Sequence, residues 1–213
     1  MRRLPLIAAG LGMVVVVLLV SGCARNLIGE PIEVTASSSP TGEVTGDGTV
    51  READGSAPEL CLGGVAESYP PQCSGPEIVG WEWSRAEGEE TASGVTWGGY
   101  SVRGTWDGER FTLTEPPVPH EPGEVHAMLD PRFDPANAGD STETELDAVQ
   151  AELRAEVPSP LPADGRVPYL ASWTENGYVV VLVIFDDGAA QRRMDDRFGD
   201  GRVIVLSALA PVA

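Results

Sequence analysis

The clearest periodic pattern of apolar positions lies between residues 142 and 157 and predicts a helix. Thr142 and Glu145 have the spacing of a capping box, in which each side chain accepts a hydrogen bond from the other's backbone N–H. Pro158 would end the helix. The apolar side chains recur at helical spacing, at Leu146, Val149, Leu153 and Val157.

Strand patterns surround a hairpin signal after this helix. Residues 167–173 read as a strand, and Asn176-Gly177 favours a tight turn. The apolar run 178–185 then predicts a central strand that is buried on both faces. Asp186-Asp187-Gly188 can cap a second helix through about residue 198, and residues 203–209 predict the last strand.

The order α-β-β-α-β over residues 141–213 predicts an α+β module, ferredoxin-like or related, with its helices on one face of an antiparallel sheet. A preceding strand at residues 111–114 would complete a split β-α-β pattern. That strand would place this module and the module before it in one sheet.

Residues 59–115 predict a small module made only of strands. Side chains alternate along 95–106, although Gly98-Gly99 interrupts the pattern. Asp107-Gly108 is a hairpin signal before the return strand at 111–114. Residues 78–83 also have a strand-like pattern, which would put Trp81 and Trp83 on one face.

Two segments lack the pattern of packed elements. Residues 23–58 are rich in Gly, Ser, Thr and acidic side chains, and their isolated valines at 34, 44 and 50 predict a flexible linker without a core. Residues 116–140 are rich in proline and acidic side chains, and they predict a connector that packs locally.

The first 23 residues carry an export signal. Arg2 and Arg3 precede an apolar run over 4–20, and the sequence Val20-Ser21-Gly22-Cys23 follows. This resembles the signal of bacterial lipoproteins. The resemblance implies that residues 1–22 are a signal peptide, that cleavage makes Cys23 the first mature residue, and that its thiol carries acyl chains such as palmitate. Two chains hold a protein durably on a membrane. An ordinary secretory signal and an uncleaved anchor are the alternatives.

With Cys23 acylated, Cys61 and Cys73 remain as an even pair, twelve residues apart. Outside the cytosol such a pair predicts a disulfide. A zinc site is the weaker alternative, because zinc needs three or four ligands and no histidine lies nearby. A redox pair is also weaker, because the spacing differs from C-x-x-C.

The charge excludes a general nucleic-acid binder. The chain of 213 residues has 33 acidic and 14 basic side chains, a net charge of −19, and all the basic ones are arginine. Nucleic-acid binding requires a basic surface. Removal of residues 1–22 takes away two arginines and lowers the charge to −21.

No metal, cofactor or catalytic motif is recognisable. Asp47, Glu52 and Asp54 lack the spacing of an EF-hand loop, and the spacing of His120 and His126 favours solvated loop positions. Signatures of serine nucleophiles, phosphate loops and dinucleotide sites are missing. The remaining charged clusters favour solvation, helix capping or ion pairs over a carboxylate pair for glycoside hydrolysis or an anion clamp; they are Glu87, Glu89, Glu90, Asp186, Asp187, Arg192, Arg193 and Arg197.

Trp81 and Trp83 are the candidate ligand-binding residues. An exposed pair of indoles could stack on sugar rings or contact a partner protein, whereas a small β module also needs large aromatic side chains in its core. The segment from Cys61 to Trp83, with its CLGG, ESYPPQC and GWEW runs, resembles uncharacterised secreted lipoproteins of high-GC Gram-positive bacteria, as does GTWDG at 104–108. The resemblance covers residues 59–115 and implies a location and a disulfide, with no activity.

These patterns together predict a lipoprotein that is anchored through Cys23 to the extracytoplasmic face of the cell membrane. We expect a non-enzymatic role in binding a cell-wall or protein partner, with no cofactor and no metal. The alternative is a cell-envelope hydrolase of unfamiliar type that uses carboxylates.

Overall fold

The computed structural model describes residues 39–120, 130–157 and 169–212, and within these ranges the protein belongs to the α+β class, as predicted. Most of the strands precede both helices along the chain. The strands are β1 (Glu43–Ala53), β2 (Glu59–Cys61), β3 (Ile78–Val79), β4 (Glu90–Ala92), β5 (Val95–Trp106), β6 (Phe111–Leu113), β7 (Val118–Pro119), β8 (Ala171–Glu175), β9 (Tyr178–Val183), β10 (Val203–Ser207) and β11 (Ala210–Pro211). The helices are α1 (Glu143–Glu156) and α2 (Ala189–Phe198).

The larger sheet is built around the antiparallel pair of β1 and β5, which are in register from Glu43 opposite Thr105 to Ala53 opposite Val95. Its strand order is β11-β1-β5-β6-β3. Strand β2 also pairs with β1, and β4 and β7 also pair with β5. Every other strand of this sheet except β3, which pairs with β6, therefore joins β1 or β5.

The prediction of a flexible linker over 23–58 is wrong for β1, whose Val44 and Val50 are fully buried. The inward positions between these valines are Gly46 and Gly48. A Cβ atom at Gly46 would lie 2.7 Å from Leu209 Cδ2, and one at Gly48 would lie 2.6 Å from the Cys61 carbonyl oxygen. Close packing therefore requires glycine at positions where the sequence pattern indicates a linker.

The glycine pair in β5 also does not end the strand, which continues through Gly98 and Gly99. The ring of Tyr100 packs directly on Gly98. A Cβ atom at Gly98 would lie 2.6–2.8 Å from three atoms of the phenol, so a larger residue would clash there. The predicted turn after β5 is confirmed. Asp107 Oδ1 accepts hydrogen bonds from the N–H groups of Glu109 and Arg110, at 2.8 and 2.7 Å.

The strand expected over residues 78–83 is shorter than predicted. Strand β3 ends at Val79, because Gly80 has φ of +84° and the chain then forms a 3-10 turn over Trp83–Arg85. Trp81 and Trp83 therefore do not lie side by side on one face of a strand.

The second sheet has three strands in the order β10-β9-β8. Asn176 and Gly177, with φ of 47° and 83°, form the predicted turn between β8 and β9. Strand β9 is central and its residues 179–183 are buried, as predicted. The expected wholly antiparallel sheet is wrong, because β9 and β10 are parallel neighbours joined through α2. The ferredoxin-like arrangement is not confirmed.

Both helices begin with side-chain caps. The predicted capping box of α1 is confirmed: Thr142 Oγ1 accepts a hydrogen bond from the Glu145 N–H, and Glu145 Oε2 accepts one from the Thr142 N–H at 2.9 Å. At α2, Asp186 accepts hydrogen bonds from the N–H groups of Ala190 and Gln191, and Asp187 accepts one from Ala189. These carboxylates are also favourable at the positive end of the helix dipole.

The outer edge of β10 is bonded to a side chain of α2. Gln191 Oε1 accepts a hydrogen bond from the Val205 N–H, and its Nε2 donates to the Val203 carbonyl, both at 2.9 Å. The amide group of Gln191 thus makes the two bonds that a neighbouring strand would make.

Both helices cover one face of the second sheet. Leu153 and Met194, from α1 and α2, are fully buried against Val179, Val181 and Val183. Val180, Leu182, Ile204 and Leu206 form the core on the other face.

The described residues all belong to one compact unit, 31–213. Phe185 and Leu209 extend from the second sheet into the core of the larger sheet, where β11 pairs with β1. The expectation that residues 111–114 join the C-terminal sheet is wrong, because β6 pairs with β5 and β3.

Candidate functional site

Trp81 and Trp83 belong to an aromatic cluster with Tyr100. The ring centroids of Trp81 and Trp83 are 5.2 Å apart in an edge-to-face arrangement, and those of Trp81 and Tyr100 are 4.8 Å apart. Trp81 is 9% exposed and Tyr100 is fully buried. The contacts are those of aromatic side chains that fill a core.

Trp83 is the member of this cluster that reaches the surface, where it is half-buried. Its Nε1–H donates a 2.7 Å hydrogen bond to Glu52 Oε2. The indole therefore has its polar partner within the protein, and only part of one ring, rather than a pair of rings, is open to a ligand.

Three polar atoms in this core are buried without a hydrogen-bond partner in the part of the chain that the structure describes: Trp81 Nε1, Tyr100 Oη and Trp106 Nε1. Burial, and to a smaller extent the negative charge of Glu89, raise the pKa of the Tyr100 hydroxyl. Tyr100 therefore stays neutral at ordinary pH, and its ring provides packing rather than acid–base chemistry.

The predicted disulfide is confirmed. Cys61 and Cys73 are bonded, with Cα atoms 6.0 Å apart, and they close the segment 61–73, which we call the disulfide loop. Two further contacts hold its backbone. Ala66 and Gln72 form an antiparallel bridge across the loop, and Arg51 Nε donates a 3.2 Å hydrogen bond from β1 to the Pro71 carbonyl.

The disulfide loop displays large hydrophobic side chains on the surface. Tyr69 is 72% exposed and Val65 is 39% exposed. The Tyr69 ring rests edge-to-face on the buried Trp97, with centroids 5.2 Å apart and planes at 89°. The exposed Tyr69 side chain is thus supported from below by the larger sheet.

A cleft of about 500 Å³ separates the disulfide loop from the end of α1. Gly63, Gly64 and residues 72–74 line one side of it, and Val157 and Tyr169 line the other. Residues 158–168, which connect Val157 to Tyr169, lie outside the described residues. Because that segment begins and ends at the rim, we assign no ligand to the cleft.

The acidic and histidine side chains that the sequence offers as metal ligands are not brought together within the described residues. Ser101 Oγ donates to Asp47 Oδ1, His120 is half-buried beside β5, and His126 lies outside the described residues. Among the residues that the structure does describe, no three His, Cys, Asp or Glu side chains are grouped to hold a metal ion.

The basic side chains of α2 do not form an anion clamp. Arg197 pairs with Glu156 and, at 3.0 Å, with Glu152, so it joins α2 to α1. Arg192 and Arg193 are exposed on the same helix. Asp186 and Asp187 cap α2, as described above.

Sequence reasoning missed Tyr69 as a candidate. The available signal is the Tyr-Pro-Pro run between two bonded cysteines, because proline lacks an N–H and keeps a segment out of a strand ladder. Whether an aromatic ring in such a loop is exposed depends on the sheet beneath it, which the local sequence does not encode.

Comparison of the chain with models of protein families, with curated proteins and with solved structures finds no match in any of the three. Cys23 and residues 1–22, on which the prediction of lipid attachment rests, lie outside the described residues. Within residues 39–120, 130–157 and 169–212, neither helix has the length and apolar character needed to cross a membrane.

Proposed function

We propose that the protein is a lipoprotein, held through acylated Cys23 on the extracytoplasmic face of the cell membrane, that binds a partner with its disulfide loop and performs no catalysis. The observation that carries the binding role is the exposed Tyr69 on a loop fixed by a disulfide. The lipoprotein-like signal at 20–23 supports the location.

The disulfide loop has the properties of a preformed binding element. A rigid loop loses little conformational entropy when it binds, so more of its contact energy contributes to affinity. Tyrosine is enriched among the residues that dominate binding energy, because its ring gives a large contact area with few rotatable bonds. Tyr69 combines both properties, since its ring rests on Trp97 and its loop is bonded at Cys61 and Cys73.

Membrane attachment is tested by fractionation of cells that express the full chain or its Cys23→Ser variant. We expect the full chain in the membrane fraction and the variant in the soluble extracytoplasmic fraction, because the variant has no thiol to acylate. Retention on the membrane of a variant from which residues 1–22 have been removed by cleavage would contradict lipid anchoring through Cys23.

The binding role is tested by chemical cross-linking on intact cells. We expect Tyr69→Ala to lose a cross-linked product that the full chain and the control Val118→Ala both form, since Val118 is 60% exposed but lies on β7. An unchanged set of products would contradict a role for the disulfide loop. Hydrolysis of wall polymers by the purified protein, abolished by replacing one carboxylate, would instead establish the alternative, an envelope hydrolase.

A further inference from the structure

The charges around the disulfide loop indicate which partners it can accept. Glu67 is exposed two residues before Tyr69, and Glu90 is the cross-strand partner of Trp97, the residue on which Tyr69 rests. At the base of the loop, Glu59 and Glu77 face each other in an antiparallel bridge. Four carboxylates thus belong to the loop itself or to the strand pairs next to it.

Positive charge near the loop is already engaged. Arg51 is the cross-strand neighbour of Trp97 on the other side, but its guanidinium lies 4.0 Å from Glu59 and donates to the Pro71 carbonyl. Like charges directly opposite each other in a sheet are destabilising. Glu59 is thus already paired with Arg51, and Glu77 opposite it is the carboxylate that a further cation would stabilise.

We infer that the disulfide loop binds a basic polypeptide segment, in which an arginine or lysine stacks on Tyr69 and adjacent apolar side chains contact Val65. This inference rests on the proposed binding function and names its partner class. The face of a tyrosine ring attracts a cation, and Glu67 in the loop and Glu90 opposite Trp97 add negative charge nearby. The same carboxylates, on a chain with a net charge of −19, repel polyanionic polymers of the wall.

The charge pattern also separates a basic polypeptide from a neutral sugar. A sugar ring would stack on Tyr69 without needing a cation, so its binding would depend on the aromatic ring and little on the flanking carboxylates. A basic segment needs both the ring and the carboxylates, and its binding weakens with salt.

The test measures binding of short fluorescent peptides to the lipid-anchored full chain in detergent micelles by fluorescence anisotropy. One peptide alternates arginine and leucine, a second replaces arginine with glutamine, and a third with glutamate. We expect saturable binding of the arginine peptide alone. Equal binding of the glutamine or glutamate peptide, or no binding of the arginine peptide, would overturn the inference.

Matched variants localise this binding to the loop. We expect Tyr69→Ala, which changes no charge, to weaken binding of the arginine peptide about tenfold, as for a residue that dominates an interface. Glu67→Gln and Glu90→Gln should each weaken it severalfold, whereas the control Asp147→Asn on the exposed face of α1, which also removes one charge, should not. Loss of binding in the Asp147 control equal to that in the Glu67 and Glu90 variants would show non-specific attraction and would overturn the inference.

Failure of this inference is distinguishable from failure of the proposed function. Binding of a neutral wall oligosaccharide that depends on Tyr69 but not on Glu67 and Glu90 would overturn the basic-polypeptide assignment and leave a binding role for the loop. An intact-cell cross-linking pattern that Tyr69→Ala does not change would remove the binding role itself. Thermal unfolding of each variant verifies that it is folded.

Discussion

Both sheets bury an apolar face, but they do so with different side chains. The core of the larger sheet is rich in aromatic residues, including Trp81, Tyr100, Trp106 and Phe111, and several of their polar atoms lack a partner among the described residues. The core under the helices is mainly aliphatic, with Tyr169 as its buried aromatic residue, and its helices are capped. In the larger sheet the rings of Tyr100 and Phe111 pack directly on Gly98 and Gly104, whereas the apolar residues of α1 recur at regular helical spacing.

The largest effect should come from the aromatic core. Phe111 is fully buried and its ring packs on Gly104, where a Cβ atom would lie 2.7 Å from Phe111 Cε1. We expect Phe111→Ala to lower the free energy of unfolding by about 3–5 kcal/mol, because it removes apolar contacts and leaves a cavity. Urea unfolding measures the change. The exposed Val118→Ala should change it by less than about 0.5 kcal/mol, and a similar loss in both variants would contradict the assignment of Phe111 to the core.

The disulfide should have the next largest effect. Joint replacement of Cys61 and Cys73 by serine removes a cross-link that spans twelve residues. In the chain-entropy model a loop of this size contributes about 3 kcal/mol. The same urea experiment on the wild type with and without reductant should give a matching loss. A reduced wild type as stable as the oxidised one would show that the bond does not contribute to the stability of this sheet.

The helical layer should show a smaller, pH-dependent effect at its cap. We expect Thr142→Ala to lower the free energy of unfolding by about 1 kcal/mol, as for other lost caps. Hydrogen bonds from the Thr142 N–H and hydroxyl lower the pKa of the Glu145 carboxyl. Because the pKa of Glu145 is lower in the folded state than in the unfolded state, its carboxylate stabilises the fold. This stabilisation is fully present above the unfolded-state pKa and is lost as pH falls through the folded-state pKa.

The measurement compares wild type with Glu145→Gln over acidic pH. The difference in free energy of unfolding between them should shrink as pH falls, because wild-type Glu145 then becomes protonated and is uncharged, as glutamine is. A difference that stays constant across that range would contradict the role of the carboxylate in the cap.

The smallest expected change again concerns the aromatic core. Tyr100→Phe removes a buried hydroxyl that has no partner within the described residues. Because burial of an unpaired polar group costs free energy, we expect the variant to be as stable as the wild type or more stable. A clear loss of stability in thermal unfolding would show that the hydroxyl makes a stabilising hydrogen bond.

The comparison also explains how much of the fold the sequence predicts. Elements of the helical layer are encoded locally, by the apolar period of α1, the Thr142–Glu145 box and the Asn176-Gly177 turn, and the structure contains each of them. Strand β1 has glycine at inward positions because Leu209 and the Cys61 carbonyl approach it from distant parts of the chain. Such contacts are not visible in a local pattern.

In the candidate site, too, some features are predictable from the sequence and others are not. The cysteine count predicts the bond between Cys61 and Cys73, because pairing depends on number and compartment. The roles of Trp81 and Tyr69 depend on what packs against each ring. The local sequence therefore offers Trp81, which is buried, as a candidate for ligand binding, and does not reveal that Tyr69 is exposed. Exposure is a property of the assembled sheet.

The side-chain amide of Gln191 has a consequence for encounters between copies of this chain. A free strand edge is a template on which a second chain can add. At β10 the N–H of Val205 and the carbonyl of Val203 are already bonded to Gln191. A second chain therefore cannot use these two backbone groups to extend the sheet along β10.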